Sequence, residues 1–311
     1  MTATVAVVIP TFRRNEGLAL AVRSVFAQQS CGDFELVIVD NDPEGGAKAC
    51  AEDLAHKAPP HVALSYVHEP NPGVANARNL ALASTNARLI AFLDDDQSAT
   101  PHWLSSLLEA HRQFPASVTF GPIDTLLPEQ TRHHRTYFSR FFERHEPIPT
   151  GYMTHAYGCG NSLLDLDLLP ATRPLFDAAM NEIGGEDDML FRSVRQTGGT
   201  FAWAAEALAY EHVPVERAQL SYTLKRALSY GQGPITLARK QVPPDYLRIV
   251  FWMGVGLYKM VVNAIVYSLL WVLRSERRAL YLDRAARGAG KLLWWHELHF
   301  YGASRLRGTS P

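Results

Sequence analysis

Four short apolar runs in the first hundred residues, separated by segments of helical period, constrain the fold of this chain most. Residues 5–9 read Val-Ala-Val-Val-Ile and stop at Pro10. Residues 34–39 read Phe-Glu-Leu-Val-Ile-Val and end at Asp40. Residues 62–67 form a third run, and residues 89–93, Leu-Ile-Ala-Phe-Leu, end at Asp94. Runs this short, apolar and rich in β-branched residues read as strands buried on both faces, as in a parallel sheet. Between them, residues 16–29 place Leu18, Val22, Val25 and Phe26 on one helical face, and residues 47–56 and 74–83 also read as helices. The alternation predicts an α/β domain with a mostly parallel sheet flanked by helices. In such sheets ligands bind beyond the carboxyl ends of the strands. Three of those ends carry Thr11 and Arg13, Asp40 and Asp42, and Asp94 to Asp96.

Farther along, Thr100 as N-cap and Pro101 at the first helical position predict a helix through Phe114. Residues 124–150, including 137–142, are polar and rich in His and Arg, and read as an irregular excursion. A strand pattern returns at 158–164. Gly184 and Gly185 precede a helix over 186–197 with an acidic first turn, as the helix dipole favours. Residues 200–204 and 207–210 read as strands, and residues 219–240 as a basic helix.

Each motif alone has two readings. Asp94 and Asp96 can share a hard divalent cation that neutralises a diphosphate, or form an ordinary acidic loop. Asp40 can accept hydrogen bonds from a base or ribose, but Asp-Asn-Asp-Pro is also plain turn chemistry. Arg13 and Arg78 suit a nucleotide's negative charge, or are solvated arginines near helix ends. Asp187, with Glu186 beside it, can act as a general base or satisfy the helix N-terminus. His212 can be a metal ligand, or simply one of 12 histidines.

Taken in order, the motifs resemble the family 2 glycosyltransferases, from about residue 5 to residue 231. Val-Val-Ile-Pro-Thr-Phe-Arg13 is similar to the family's opening strand and Glu-Leu-Val-Ile-Val-Asp40 to its second nucleotide strand. Gly73-Val-Ala-Asn-Ala-Arg-Asn79 resembles its Gly-x-x-x-Ala-Arg-Asn helix, Asp94-Asp-Asp96 its DxD site, and Gly-Gly-Glu-Asp187 with Leu190 and Arg192 its catalytic-base segment. The resemblance implies a GT-A fold and inverting transfer of a sugar from a UDP-sugar to a saccharide hydroxyl. It implies Arg13, Asp40 and Arg78 around the uridine, with Thr11 in the opening strand of the same nucleotide-sugar site. Asp94 and Asp95 would lie at the ribose or sugar, and Asp96 would hold Mg²⁺ or Mn²⁺. His212 would lie near the metal, Arg226 at the diphosphate, Gly160 and Asn161 at the sugar or acceptor, and Asp187 would be the base. One departure is Asp40-Asn41-Asp42-Pro43 where the family often has Asp-Asp-Gly-Ser, which leaves Asp40 or Asp42 to meet the nucleotide; Asp40 is favoured.

Charge is divided along the chain. From Arg217 onward there are 15 Lys and Arg against 4 Asp and Glu, while the preceding residues hold 15 against 27. A formal net charge of −1 argues against a nucleic-acid partner, but the basic end needs its own explanation. It contains residues 249–273, apolar and long enough to cross a bilayer, yet Lys259 and Asn263 lie one turn apart in the middle. With UDP-sugars cytosolic, one crossing would export a tail carrying Arg274, Arg277, Arg278, Arg284, Arg287, Lys291, Arg305 and Arg307, against the positive-inside tendency. The expectation is a segment lying in the interface or re-entering, with Trp252, Trp271, Trp294 and Trp295 at headgroup level and the cations on anionic lipid. An ordinary buried helix is the alternative. The segment Arg284-Ala-Ala-Arg-Gly-Ala-Gly-Lys291 is similar to tails of exopolysaccharide glycosyltransferases of the succinoglycan type, which implies a lipid-linked acceptor. The expected division is a catalytic domain over 1–240 and a basic, apolar helical region over 241–311, at the cytoplasmic face of the membrane.

Three cysteines without a CxxC pair suit a reducing compartment, and no signal peptide is expected from residues 1–4 and the strand that follows. Two rivals are a sugar-nucleotide nucleotidylyltransferase, which usually opens with a Gly-rich phosphate loop instead of Pro10-Thr11-Phe12-Arg13, and a non-catalytic membrane-bound scaffold that keeps the fold.

Overall fold

The computed structural model describes residues 5–181, 184–239 and 241–295. In chain order the elements are β1 (Val5–Thr11), α1 (Asn15–Phe26), β2 (Phe34–Asp40), α2 (Lys48–Ala55), β3 (Val62–His68), α3 (Val74–Ala83), β4 (Leu89–Phe92), β5 (Gln97–Ala99), α4 (Trp103–Gln113), β6 (Val118–Phe120), β7 (Ile123–Leu126), α5 (Arg135–Phe142), β8 (Gly151–Met153), β9 (Ser162–Asp165), α6 (Glu186–Gln196), β10 (Phe201–Trp203), β11 (Ala209–His212), α7 (Leu220–Arg239), α8 (Tyr246–Val272) and α9 (Arg278–Leu292).

The first compact unit runs to Asp124 and resumes over Glu143–His212. Its main sheet has the order β3-β2-β1-β4-β9-β6-β10-β8. The first four strands pair in parallel, with Thr11 beside Asp40 and Val8 beside Phe92. β9 runs antiparallel between β4 and β6, so the second half of the sheet is mixed. Both faces are covered, and the period-2 rule shows how. Val7, Ile9, Leu36 and Ile38 join one core cluster with α1 and α4 residues, while Ala6, Val8, Val37 and Val39 join the other with Ala75, Ala81 and Phe191. That is why the strand sequences are continuously apolar. A smaller sheet has the order β5-β11-β7, with β5 and β11 antiparallel.

Two local expectations change. Thr100 does not cap α4; its hydroxyl donates to the Leu208 carbonyl at 2.9 Å and the helix begins at Trp103 after His102. Tertiary pairing with the residue just before β11 wins over local capping. Residues 135–142, expected to be irregular, form α5, which buries Tyr137 and Phe138 against Ala279.

The second unit comprises Thr125–Phe142 and Val213–Leu298. The expected division at residue 240 differs from this partition, which assigns α5 and α7 to the C-terminal helices. The cause is close helix packing at glycines. A Cβ on Gly290 would lie 2.1 Å from the Leu228 carbonyl oxygen, and one on Gly231 2.3 Å from that of Arg287. Gly256 and Gly288 do the same for α8 and α9, where a Gly288 Cβ would stand 2.7 Å from the Gly256 oxygen. Lys240 itself, and Arg305 and Arg307 of the basic tail, lie outside the described residues.

Candidate active site

The parallel register brings the ends of β2, β1 and β4 side by side, so the first unit gathers Asp40, Thr11 and the acidic triplet along one sheet edge. Asp95 is buried. Its Oδ2 accepts from Thr11 Oγ1 at 2.9 Å and from the Phe12 N–H at 3.4 Å. Arg14, which sequence reasoning passed over in favour of Arg13, closes the arrangement. Its Nη1 lies 2.8 Å from Asp95 Oδ1 and 2.9 Å from Asp96 Oδ2. Burial works against the guanidinium's charge, but Asp95 and Asp96 together hold its pKa above the ordinary value. Thr11 and Arg14 thus fix the triplet from the β1 side. The signal for Arg14 was its place one residue past the strand-end motif.

Asp94 faces the other way. Burial pushes its pKa up to about 6; Arg78 pulls it back, and Asp96 and Asp95 add to the rise. The backbone at Gly160 runs so close that a Cβ there would lie 2.2 Å from Asp94 Oδ2. Two residues earlier, a Cβ on Gly158 would stand 3.1 Å from Asp187 Oδ2, and the Cys159 N–H donates to that same oxygen at 3.3 Å. The segment from Gly158 to Gly160 therefore separates Asp94 from Asp187 with only glycine's thickness at the two contacts. Asp187 Oδ1 accepts from the Asp188 N–H at 2.9 Å in the first turn of α6. The helix leaves Gly185 in the left-handed conformation (φ +89°), which a Cβ would strain.

Arg144, on a segment where the sequence shows no motif, supports this loop. It is buried and donates to the carbonyls of Gly121 (2.9 Å), Gly158 (3.0 Å), Gly160 (2.7 Å) and Asn161 (2.6 Å). Burial pulls its pKa down to about 10.

Four expected residues make specific contacts within the fold. Arg78 is buried and donates to Glu186 Oε1 at 2.6 Å, with its guanidinium over the rings of Phe92 and Phe176. Burial opposes its charge, yet Cys159, Glu186, Asp187 and Asp94 push its pKa up. It binds α3 to α6 under the site, with Glu186 as its partner. Asn161 is fully buried; Trp103 Nε1 donates to its Oδ1 at 2.7 Å, and its Nδ2 donates to the carbonyls of Pro122 and Ala207 at 2.6 and 2.9 Å. With both amide hydrogens donated and the side chain fully buried, it shapes the loop. Asp40 is also fully buried. It accepts from the N–H groups of Asp42 and Ala47 at 3.0 and 2.8 Å and from Tyr66 Oη at 3.0 Å. Those donors hold the loop after β2, while Asp42 pairs with the half-exposed Arg13 at 3.0 Å.

His212 ends β11 beside β5. Its backbone N–H donates to the Asp96 carbonyl at 2.8 Å, but its Nε2 faces Ser98 Oγ at 2.7 Å. Burial lowers its pKa and so favours the neutral ring. Arg226 lies on α7 of the second unit and donates to Tyr230 Oη at 2.7 Å. Among the described residues no group of three His, Cys, Asp or Glu side chains converges as a metal cage. The donor set fits a different arrangement: Asp94 and Asp96 supply hard oxygens of the kind Mg²⁺ and Mn²⁺ take, with substrate phosphates and water completing the shell.

Comparison with known proteins agrees with this geometry. Residues 6–170 match the family described as Glycosyl transferase family 2. The chain is 33% identical over 228 residues to the succinoglycan biosynthesis protein ExoM of Rhizobium meliloti (strain 1021), covering 71% of each. Among solved structures it is similar to the mannosyltransferase PcManGT of Pyrobaculum calidifontis, in complex with GDP-Man and Mn²⁺. The TM-score is 0.58 and the identity 17%, covering 96% of this chain and 89% of that one. It is also similar to S. aureus TarS 1-349 in complex with UDP, with TM-score 0.53 and identity 15%, covering 95% and 91%. The chain belongs to the family 2 glycosyltransferases and has the GT-A fold.

Proposed function

We propose that this glycosyltransferase moves a sugar from a UDP-sugar to a hydroxyl of a lipid-linked saccharide in exopolysaccharide assembly, with inversion at the anomeric carbon. The observation that carries the reading is the placement of Asp187 against Gly158 and Cys159, with Asp94 against Gly160 on the same short loop. A base and a donor-binding carboxylate face each other across glycine backbone. The exopolysaccharide role rests on the similarity to ExoM.

In this reading the uridine lies by the loop that Asp40 holds, with Asp42 and Arg13 as its polar edge. Thr11, Arg14 and Asp95 set the position of Asp96. Asp94 and Asp96 would hold Mg²⁺ or Mn²⁺, which when bound would supply charge neutralisation to the diphosphate. Arg78 adds fixed positive charge beneath Asp94 and Asp187. Asp187 takes the proton from the acceptor hydroxyl as that oxygen attacks opposite the departing UDP. Asp187→Asn keeps the shape and removes the base. The expected result is unchanged UDP binding with transfer abolished, read as UDP release from a panel of UDP-sugars with membrane extract as acceptor. Near-normal turnover would overturn the assignment.

The second unit is proposed to bind the cytoplasmic surface of the membrane. Only 11% of the apolar window of α8 is buried, so it is not a core helix. Leu247, Val250, Phe251, Leu257, Tyr258, Val261, Ile265, Leu269 and Val272 are all exposed and recur at helical spacing as one stripe. A 27-residue helix carries that stripe over about 40 Å. A helix lying in the interface, with the surrounding Lys and Arg on anionic headgroups, accounts for both the stripe and the positive charge.

A further inference from the structure

Beside the candidate base stands a group of side chains that donor binding and proton transfer leave unused. Tyr157 immediately precedes Gly158, the residue whose backbone touches Asp187. The Tyr157 hydroxyl donates to Glu146 Oε1. His155 Nε2 lies 2.6 Å from the same oxygen and 3.1 Å from the Tyr157 hydroxyl. Among the described residues nothing hydrogen-bonds the second oxygen, Oε2. The carboxylate is 16% exposed and the imidazole 50%. The Tyr157 ring is half-buried, packed 5.2 Å from the Arg144 guanidinium and 6.0 Å from the Trp203 ring. The ring is therefore held from behind, and one carboxylate oxygen is anchored twice while the other is left open.

We propose that Glu146, His155 and Tyr157 form the subsite that holds the acceptor saccharide, with Glu146 Oε2 accepting a hydrogen bond from a sugar hydroxyl next to the one that reacts. A saccharide presents hydroxyl donors on its edge and C–H groups on its face. A fixed carboxylate oxygen suits the first, and an aromatic ring backed by packed residues suits the second. Donation from Tyr157 and His155 aims the carboxylate before any ligand arrives, so little ordering accompanies binding. Chain adjacency links the group to the base. Tyr157 and Gly158 are consecutive, so their Cα atoms are about 3.8 Å apart, and Gly158 abuts Asp187 Oδ2. A sugar ring on this ledge therefore lies next to the base that must reach its reacting hydroxyl.

The proposal rests on Asp187 being the base, but its test does not use turnover. Octyl β-glucoside and octyl β-galactoside, each below its micelle concentration, are titrated into the full chain. Binding is followed by saturation-transfer NMR on the sugar ring protons, with UDP plus Mn²⁺ titrated separately. Glu146→Ala, which removes a charged hydrogen-bond acceptor, is expected to weaken glycoside binding by roughly tenfold or more. Tyr157→Phe, which keeps the ring and frees Glu146, is expected to weaken it less. UDP binding should stay at the wild-type level in both. Unchanged glycoside affinity in Glu146→Ala, or no ring-proton transfer from either glycoside to the wild-type chain, would overturn the subsite. Loss of UDP binding in the wild-type chain would instead refute the donor-site reading and leave the glycoside result to be judged separately.

Discussion

Gly160→Ala should inactivate the enzyme while leaving it folded. The added Cβ would stand 2.2 Å from Asp94 Oδ2, 2.9 Å from its Cγ and 3.2 Å from Gln97 Nε2. Ordinary contact begins near 3.4 Å, so the carboxylate must retreat by roughly 1 Å, and a displacement of that size in a reacting constellation costs on the order of 100-fold in rate. That corresponds to about 2.7 kcal/mol of transition-state stabilisation. The clash is with the end of a side chain, not with backbone, so the fold can yield cheaply. Gly121→Ala is the control: its Cβ would meet the Ala207 carbonyl oxygen at 2.4 Å and the Asn161 amide at 2.8 Å, a contact between segments that cannot step aside. It should destabilise by roughly 1–3 kcal/mol, as overpacking does. The assay is initial UDP release with Mn²⁺ across a donor panel, beside a thermal melt of each variant. Turnover of Gly160→Ala within threefold of wild type would refute the role given to Asp94. A melting loss as large as that of Gly121→Ala would refute the separation of site from fold.

Three further outcomes are expected. Arg78→Met leaves Glu186 buried without its partner, and breaking such a pair typically costs about 3–5 kcal/mol, to be read from the denaturant midpoint. Asp94 titrates near 6 when folded against 3.8 for the free side chain. The folded state therefore binds its proton more tightly, and stability falls as pH rises between those values. Asp94→Asn should then stabilise the metal-free protein at pH 7 by roughly 1–3 kcal/mol, and the gain should vanish below about pH 4; a pH series of melts checks it. Finally, Val261→Glu with Ile265→Glu on the exposed stripe of α8 should release the protein from vesicles of anionic phospholipid in a flotation assay without changing UDP affinity.

The sequence by itself determined the α/β architecture, because a strand buried on both faces must be written as a continuous apolar run, and residues 5–9, 34–39 and 89–93 allow little else. It also determined where the chemistry collects, since a parallel sheet sends its strand ends to one edge and Thr11, Asp40 and Asp94 to Asp96 sit at those ends. The apolar, basic character of the C-terminal region was equally legible in composition. Tertiary structure alone decided which polar groups are spent inside. Asn161 and Arg78 have the residue types of ligand contacts, and a Trp103 indole, two carbonyls and a Glu186 carboxylate engage them within the fold; those partners come from 39 to 108 residues away in sequence. The same holds for Arg144, which itself sits in no sequence motif, and for Arg14, which a local reading cannot distinguish from Arg13. The partition of the chain at Asp124 and His212 also escaped the sequence. For α7 it follows from glycine contacts with α9, where the missing Cβ atoms permit close approach.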